Sequence, residues 1–218
     1  MLIHYRAFAI LATVLFACAV CACSVKSGRD APKIAPTGQR VTVAPFTQPL
    51  DPAQLITGYI PENQGKIPED ELIALDTELR RVLLKGDERE YAFMPPRKLP
   101  KTWNEARSSS QPAALKTWLE YGKEHNAKLL LVPQVMDWKE REGSEAGVTE
   151  SAYARIELFL LNITDGSIAG RAIFEEKQAG LVDNLLTIRD FVKRRGKWLT
   201  ARELAADGLT KAVKDLGL

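Results

Sequence analysis

The 218-residue sequence has few of the side chains on which most catalytic and metal sites depend. It contains two histidines, His4 and His125, and its three cysteines, Cys18, Cys21 and Cys23, all lie within the first 23 residues. A zinc site needs three or four histidine, cysteine or carboxylate ligands, which the chain beyond residue 23 cannot readily supply. A serine–histidine–acid triad would have to use His125, and no serine lies in a nucleophile-elbow pattern. We therefore expect no catalytic residue, no metal and no cofactor.

An excess of one charge sign is also lacking. The sequence has 30 basic and 28 acidic residues, a net charge of +2. A nearly neutral chain has no general affinity for a phosphate backbone, and neither a phosphate-binding loop nor a dinucleotide fingerprint is present. We therefore expect no nucleic-acid partner. With 45% hydrophobic residues, the composition is that of a globular protein with a core.

The longest apolar run in the sequence lies at its amino terminus. Arg6 gives this end a short positive region, residues 7–20 are apolar apart from Thr13, and small residues follow. Such a layout is typical of a secretory signal peptide, and its apolar part is short for a stable membrane span.

The end of this run has the pattern of a lipid-attachment signal. Residues 20–23 (VCAC) resemble a bacterial lipobox, in which a branched apolar residue lies three places before the cysteine and a small residue directly before it. The resemblance implies that lipid is attached to Cys23 after cleavage in front of it. Residues 15–18 (LFAC) fit the same pattern, so Cys18 is the alternative site. Cys23 gives the longer apolar region and is followed at once by the more polar residues 24–28.

The residue after the cysteine bears on location. In lipoproteins an aspartate at this place retains the protein at the inner membrane, and here the residue is Ser24. The resemblance therefore implies the outer membrane of a Gram-negative cell, with the protein facing the periplasm. Each buried methylene contributes about 0.8 kcal/mol, so three acyl chains form a durable anchor. We predict a signal peptide over 1–22 and a lipid-anchored, flexible tether over 23–39.

Beyond the tether, apolar periodicity predicts one globular domain over 40–218. Strand patterns occur at 41–46, 91–94, 129–136, 149–161 and 167–177. Helical apolar stripes occur at 68–86, 113–124, 185–192 and 200–216. Thr200 and Glu203 form a capping-box pattern at the start of the last helix. The order predicts an α/β fold, a single mixed-sheet α/β sandwich of about five strands with helices packed on it.

The last two strands form the strongest pair. A turn at 162–166 joins 149–161 to 167–177, which predicts an antiparallel hairpin. The hairpin is long enough to span a membrane, but its strands lack clean polar and lipid-facing alternation, so we expect it in the core. Residues 137–148 are predicted as a charged excursion between strands. The stretch 47–68 is predicted as a long irregular loop, and such loops are often functional.

Four pieces of this domain carry a resemblance: 40–46 (RVTVAPF), the helix that follows, 127–134 (AKLLLVPQ), and the hairpin with 160–166 (LLNITDG). Together they resemble a class of periplasmic proteins that contains the TolB amino-terminal domain and the curli-secretion-channel lipoproteins. Pro133 occupies a place where the class usually has glycine, and Asn162 one where it usually has aspartate. The resemblance implies a fold and a compartment rather than an activity.

A basic cluster near the carboxyl terminus is the candidate partner contact. Its members are Lys193, Arg194, Arg195, Lys197 and the adjacent Trp198. Basic residues are favoured at a helix carboxyl end, and they also suit anionic lipid headgroups, cell-wall carboxylates or a partner protein. We therefore predict a non-enzymatic, lipid-anchored envelope protein that binds or assembles with a protein or cell-wall partner. The alternatives are a subunit of an oligomeric outer-membrane secretion channel and a carboxylate-based cell-wall hydrolase.

Overall fold

A mixed β-sheet forms the centre of the structure, a computed structural model that describes residues 38–86, 89–101, 103, 111–145, 147–178 and 197–218. The strands are β1 (Val41–Val43), β2 (Tyr91–Phe93), β3 (Leu129–Lys139), β4 (Glu142–Ser144), β5 (Gly147–Glu150), β6 (Tyr153–Asn162) and β7 (Ser167–Lys177). Five of them form the sheet, in the order β2-β1-β3-β6-β7. β1 is parallel to β2 and β3, while β3, β6 and β7 are antiparallel neighbours. The predicted α/β fold with a sheet of five strands is confirmed.

Three α-helices of the described residues pack on this sheet, on both of its faces. They are α1 (Glu69–Gly86), α2 (Ala114–Glu124) and α3 (Ala201–Asp215). One face of the sheet shares a core cluster with α1 and α3, and the other face shares a second cluster with α2. Successive strand residues point to opposite faces. In β6, therefore, Leu158 and Leu160 join the first cluster, while Phe159 and Leu161 join the second.

Helix α3 begins and packs as its sequence predicts. The Thr200 hydroxyl accepts a hydrogen bond from the Glu203 amide, and the Glu203 carboxylate accepts one from the Thr200 amide. The helix approaches β7 closely at Gly208, where a Cβ atom would lie 2.3 Å from the Phe174 ring. No helix in the described ranges is long and apolar enough to cross a lipid bilayer.

Pro133 lies inside β3, a strand with neighbours on both sides. The carbonyls of Leu131 and Pro133 accept hydrogen bonds from the amides of Ala44 and Thr47, at 2.9 and 3.2 Å. Because the N–H and C=O of one strand residue point to the same side, the donor that proline lacks would face the chain leaving β1. β1 has already ended there, and the pairing of Pro133 with Leu158 of β6 is kept.

The predicted strand over 149–161 is interrupted at 151–152, and part of the charged excursion predicted over 137–148 is strand. β3 continues to Lys139, and β4 and β5 form a separate two-stranded ribbon before β6 begins at Tyr153. The ribbon is mostly exposed, so its pairing does not require the alternation of apolar residues from which strands are predicted. The predicted hairpin is present as β6 and β7, and it lies within the sheet.

The predicted helix at 185–192, the signal peptide over 1–22 and residues 23–37 of the tether lie outside the described residues.

Candidate functional site

A groove opens where the parallel strands β1 and β2 end. We call it the β1-end groove: its walls are the segment after β1 (46–50), the start of α1 with the residues before it (67–76), and Arg97, Leu99 and Trp103 after β2. Its volume is about 510 Å³. The carboxyl ends of parallel strands are a common place for ligand crevices, because the chain there turns away to either side of the sheet.

The walls of the β1-end groove combine apolar side chains with polar and charged ones, and some of the apolar side chains are open to water. Phe46 and Ile67 are buried at its base. Leu50 is 57% exposed and Ile73 is 39% exposed, and they are two of the five large apolar side chains that are exposed in the described part of the chain. Covering such surface is favourable by about 25 cal/mol per Å². The groove therefore presents apolar side chains in a concave place that a partner could cover.

A carboxyl group lies among these apolar side chains. Asp76 projects from α1, and its Oδ1 accepts a hydrogen bond from the Phe46 amide at 2.7 Å. Burial raises the pKa of Asp76 to about 6, against a smaller lowering by the Phe46 hydrogen bond. Ion pairs among the described residues do not include Asp76. Asp76 is therefore a carboxylate at neutral pH without a cationic partner in the described structure.

An ion pair lies at the exposed rim of the same groove. The Arg97 guanidinium binds the Glu69 carboxylate at the start of α1, and both side chains are more than half exposed. Arg97 has a φ of 65°, in the left-handed region, so the chain turns sharply there after β2. The pair neutralises two of the charged groups that line the groove and leaves the charge of Asp76 uncompensated.

A smaller cavity of about 220 Å³ lies on the other side of Asp76, between α1 and the ends of β1 and β2. Arg80 lines this cavity, and its guanidinium lies 4.3 Å from the centre of the Phe93 ring. A cation in this position is attracted by the ring face. Arg80 is thus engaged on the β2 side of Asp76, away from the β1-end groove.

The predicted long loop over 47–68 is present, with one short 3₁₀ helix at Pro52–Gln54, and hydrogen bonds fasten it to β3. Gln64 Nε2 donates to the Met136 carbonyl at 2.8 Å, and the Gly65 amide donates to Asp137 Oδ1 at 2.7 Å. Gln134 Nε2 donates to the Gln54 carbonyl at 3.0 Å. Because the loop is held at these points, its first residues form a fixed wall of the β1-end groove.

A second carboxylate, Glu157 of β6, is only 1% exposed and has two cationic partners. Arg155 donates to its Oε1 at 3.1 Å, and Arg171 donates to its Oε2 through Nε at 3.0 Å and a terminal nitrogen at 2.6 Å. The Arg155 guanidinium also lies 5.7 Å from the ring centre of Tyr59, in the long loop. Glu157 therefore joins β6, β7 and the loop through its two arginines.

The predicted contact residues are only partly described. Lys193, Arg194 and Arg195 lie outside the described residues, as do the predicted lipidation sites Cys23 and Cys18.

Two members of the basic cluster contact the β4–β5 ribbon. Lys197 Nζ lies 3.0 Å from Glu145 Oε2, and the Trp198 amide donates to the Glu145 carbonyl at 3.0 Å. The Trp198 carbonyl accepts a hydrogen bond from Arg141. The structure thus gives these two residues partners within the chain, and their role in binding stays a prediction.

His125 ends α2, and its Nδ1 lies 2.8 Å from the Tyr121 carbonyl. Its ring centre lies 4.3 Å from that of Tyr121. Within the described ranges, no group of three or more histidine, cysteine, aspartate or glutamate side chains is placed to hold a metal ion.

Sequence analysis missed the β1-end groove and Asp76. The groove combines three segments that only the register of the parallel strands brings together, so no local pattern indicates it. One signal was present: Asp76 occupies a place in the apolar stripe of α1, four residues after Leu72 and three before Leu79. An acidic residue on a buried helix face is unusual and indicates either a paired or a functional group.

No protein-family model and no curated protein matches the chain. Similar solved structures include the PelC dodecamer from Paraburkholderia phytofirmans, at 13% identity over 83% of this chain and 88% of that chain, with a TM-score of 0.46. Another is the LpoB C-terminal domain from Salmonella enterica, at 11% identity over 65% and 84%, with a TM-score of 0.34. A third is lipoprotein GNA1162 from Neisseria meningitidis, at 10% identity over 72% and 97%, with a TM-score of 0.34. These likenesses are partial, and a fold of this kind does not determine a function.

Proposed function

We propose that the chain is a lipid-anchored protein of the cell envelope whose domain binds a partner protein through the β1-end groove, without catalysing a reaction. The anchor comes from the lipobox-like sequence ending at Cys23, with Cys18 as the alternative. The outer membrane, facing the periplasm, is the proposed location because Ser24 follows Cys23. The binding role comes from the geometry of the groove.

The observation that carries the binding role is the exposure of apolar side chains in a concave site. Leu50 and Ile73 are 57% and 39% exposed on the walls of the groove. Small-molecule sites bury most of the ligand surface, whereas walls this open suit a segment of a partner chain that covers them from outside. The fixed loop wall reduces the conformational entropy that would be lost on binding.

The tether supports a role close to the membrane. The tether over 23–39 is a prediction from composition, and a flexible polypeptide of that length would have a root-mean-square span of about 20 Å. A domain held in this way remains within a short distance of the lipid surface, so its partner is itself at or near the membrane. This confinement raises the effective concentration of the two proteins and allows a modest intrinsic affinity to suffice.

Site-specific photo-crosslinking in cells tests the groove. A photo-reactive residue replaces Leu50 or Ile73 in the full chain, and the matched control replaces Leu84, which is 61% exposed on the same helix as Ile73 but does not line the groove. We expect one adduct of defined mass from positions 50 and 73 and none from 84. The adduct from position 50 should disappear when Ile73→Ser is added. Equal adducts at position 84, or none at 50 and 73, would contradict the proposal.

The anchor has its own test. Cys23→Ser should abolish incorporation of labelled palmitate, whereas Cys18→Ser should leave it unchanged. The reverse result would assign the lipid to Cys18. Incorporation into the chain with both substitutions would contradict lipidation at either site.

Different measurements test whether the protein is instead a channel subunit, a cell-wall hydrolase or a binder through its basic cluster. A ring-forming channel subunit would give a multiple of the chain mass in native mass spectrometry in detergent, and a cell-wall hydrolase would release muropeptides. The basic cluster at 193–197 is the competing contact. If it binds the partner, its deletion should abolish the adducts formed at positions 50 and 73; unchanged adducts would exclude it.

A further inference from the structure

Asp76 is the charged group in the β1-end groove that has no cationic partner among the described residues. It lies on the buried side of α1, one turn after Leu72, where an apolar residue would continue the helix stripe. Its one hydrogen bond among the described residues comes from the backbone amide of Phe46. A carboxylate withdrawn from water with so little compensation is unfavourable for the free protein.

We infer that the β1-end groove recognises a segment of the partner in which a lysine or arginine lies next to apolar residues, with the Asp76 carboxylate as the counter-ion. The inference rests on the proposed function, because it names the chemistry of the partner at the same site. It adds a charge requirement to a groove that apolar contacts alone would leave unselective.

The charges around Asp76 favour a cation over an anion. In the β1-end groove, Glu69 and Arg97 neutralise each other, so an ionised Asp76 leaves a net charge of −1 on the walls. On the other side of Asp76 the charged group is Arg80, which lies over the Phe93 ring. The segment leaving β1 contributes no charged side chain to the walls. A basic group is therefore attracted to the groove, while a phosphate or carboxylate is repelled.

The geometry also provides for the aliphatic part of a basic side chain. Residues three and four apart lie on one face of a helix, so Leu72 and Ile73 flank the turn that leads to Asp76. Lysine and arginine cover apolar surface with their methylene groups while the charged end reaches a polar partner. The bond from Phe46 N–H to Oδ1 fixes the carboxylate, so that its orientation is set before the ligand arrives.

Binding of a cation at this place is linked to protons. Because burial raises the pKa of free Asp76 to about 6, part of the carboxyl is protonated in mildly acidic solution. A bound lysine or arginine favours the carboxylate and so lowers this pKa, and binding below pH 6 releases a proton. The affinity should therefore rise with pH up to about 6 and be flat above it.

Peptide selection tests the charge requirement. The full-length chain in detergent micelles is panned with a random heptapeptide display library, in parallel with its Asp76→Asn and Ile73→Ser variants. Asp76→Asn keeps an oxygen for the Phe46 amide, so the fold should be retained, and a thermal melt checks this. We expect peptides that require Ile73 to contain lysine or arginine beside an apolar residue, and to be depleted on Asp76→Asn.

A titration of the most enriched peptide completes the test. Fluorescence anisotropy gives its Kd on the wild-type chain at pH 7.5 and pH 5, beside a copy in which norleucine replaces the basic residue. We expect the basic peptide to bind about tenfold more weakly at pH 5, where only about a tenth of Asp76 is ionised. The norleucine peptide should bind at least about tenfold more weakly than the basic one at pH 7.5, with little pH dependence.

Three results would overturn the inference. Peptides that require Ile73 but lack a basic residue, or that bind Asp76→Asn equally well, would show that the groove selects apolar segments only. In that case the proposed function would stand, because the crosslinks from positions 50 and 73 test it separately. Selection of no peptide that depends on Ile73 would also overturn the inference, and absence of those crosslinks as well would overturn the function.

Discussion

The fold withdraws two carboxylates from water, Glu157 and Asp76, but it gives a cationic partner among the described residues only to Glu157. Glu157 lies in the central part of the sheet, 1% exposed, between the guanidinium groups of Arg155 and Arg171. Asp76 lies on α1 beside the carboxyl end of β1, and its hydrogen-bond partner among the described residues is the amide of Phe46. Both side chains belong to surfaces that the long loop over 47–68 helps to cover.

The comparison distinguishes Glu157, whose charge is neutralised within the fold, from Asp76, whose charge is available to a ligand. Each oxygen of Glu157 already has a cationic donor, so this carboxylate has no capacity left for an external ligand of positive charge. Asp76 combines incomplete pairing with contact to an open groove, and the energy lost by its desolvation is recoverable when a cation binds. Burial alone therefore does not indicate a site; burial without a counter-ion, beside accessible space, does.

The largest effect should come from removing the charge of Glu157. Glu157→Gln leaves two guanidinium groups with partial burial and no carboxylate between them, which should lower the free energy of unfolding by about 3 kcal/mol. Urea denaturation measures this loss. Glu175→Gln is the control, because Glu175 also lies near Arg155, at 3.8 Å, but is 49% exposed, and should change stability by less than about 0.5 kcal/mol. If the two substitutions lower stability by similar amounts, Glu157 contributes no more to folding than an exposed acidic residue does.

The loop that both carboxylates adjoin should be nearly as sensitive, at Gly65. A Cβ atom there would lie 1.9 Å from the Trp138 carbonyl oxygen, which belongs to the backbone of β3 and cannot move aside easily. Gly65→Ala should therefore lower the free energy of unfolding by about 2 kcal/mol or more. It should also weaken crosslinking from position 50, since the loop forms that wall of the groove. Gly86→Ala is the control, because a Cβ atom there meets no atom within 4 Å. A destabilisation of under about 0.5 kcal/mol would mean that the loop is not held against β3 at this point.

The two carboxylate sites differ in how far the sequence could reveal them. The alternation of side chains in β6 and β7 and the turn between them predicted the hairpin that contains Glu157, because β7 buries one face and exposes the other. The capping box of Thr200 and Glu203 was predictable for the same local reason. The β1-end groove was not, since it depends on the register that places Val41 beside Tyr91 and Leu129, which are 50 and 88 residues away. Asp76 in the stripe of α1 was the one local indication.

Substitution of Asp76 should change the free energy of unfolding by a smaller amount and should increase it rather than lower it. Its folded-state pKa of about 6 lies above the usual 3.8, so its ionisation opposes folding: the cost is absent below about pH 3.8, grows between that pH and 6, and is full above 6. Asp76→Asn should raise the free energy of unfolding by about 1 kcal/mol at pH 7.5, less than the pKa difference alone implies because the carboxyl is partly exposed. At pH 3.5 the two proteins should be equally stable.

Urea denaturation at the two pH values gives this comparison, with Glu69→Gln as the control on the exposed rim. A loss of stability in Asp76→Asn at pH 7.5 would show that the fold needs the carboxylate. Asp76 would then be a structural group like Glu157, and the contrast between the two would be lost.

The smallest effect on stability should come from the rim pair of Arg97 and Glu69. Both side chains are more than half exposed, so Arg97→Gln should change the free energy of unfolding by less than about 0.5 kcal/mol. Because arginine and glutamine both carry a Cβ atom, the substitution adds no backbone strain at this left-handed position. Its effect on binding should be larger than its effect on folding. Loss of the guanidinium leaves the charge of Glu69 unpaired and makes the groove more negative, so the basic peptide should bind about two- to threefold more tightly at pH 7.5. The norleucine peptide should not change. Weaker binding of the basic peptide to Arg97→Gln would mean that the guanidinium itself contacts the ligand, and that the groove does not select a cation through Asp76.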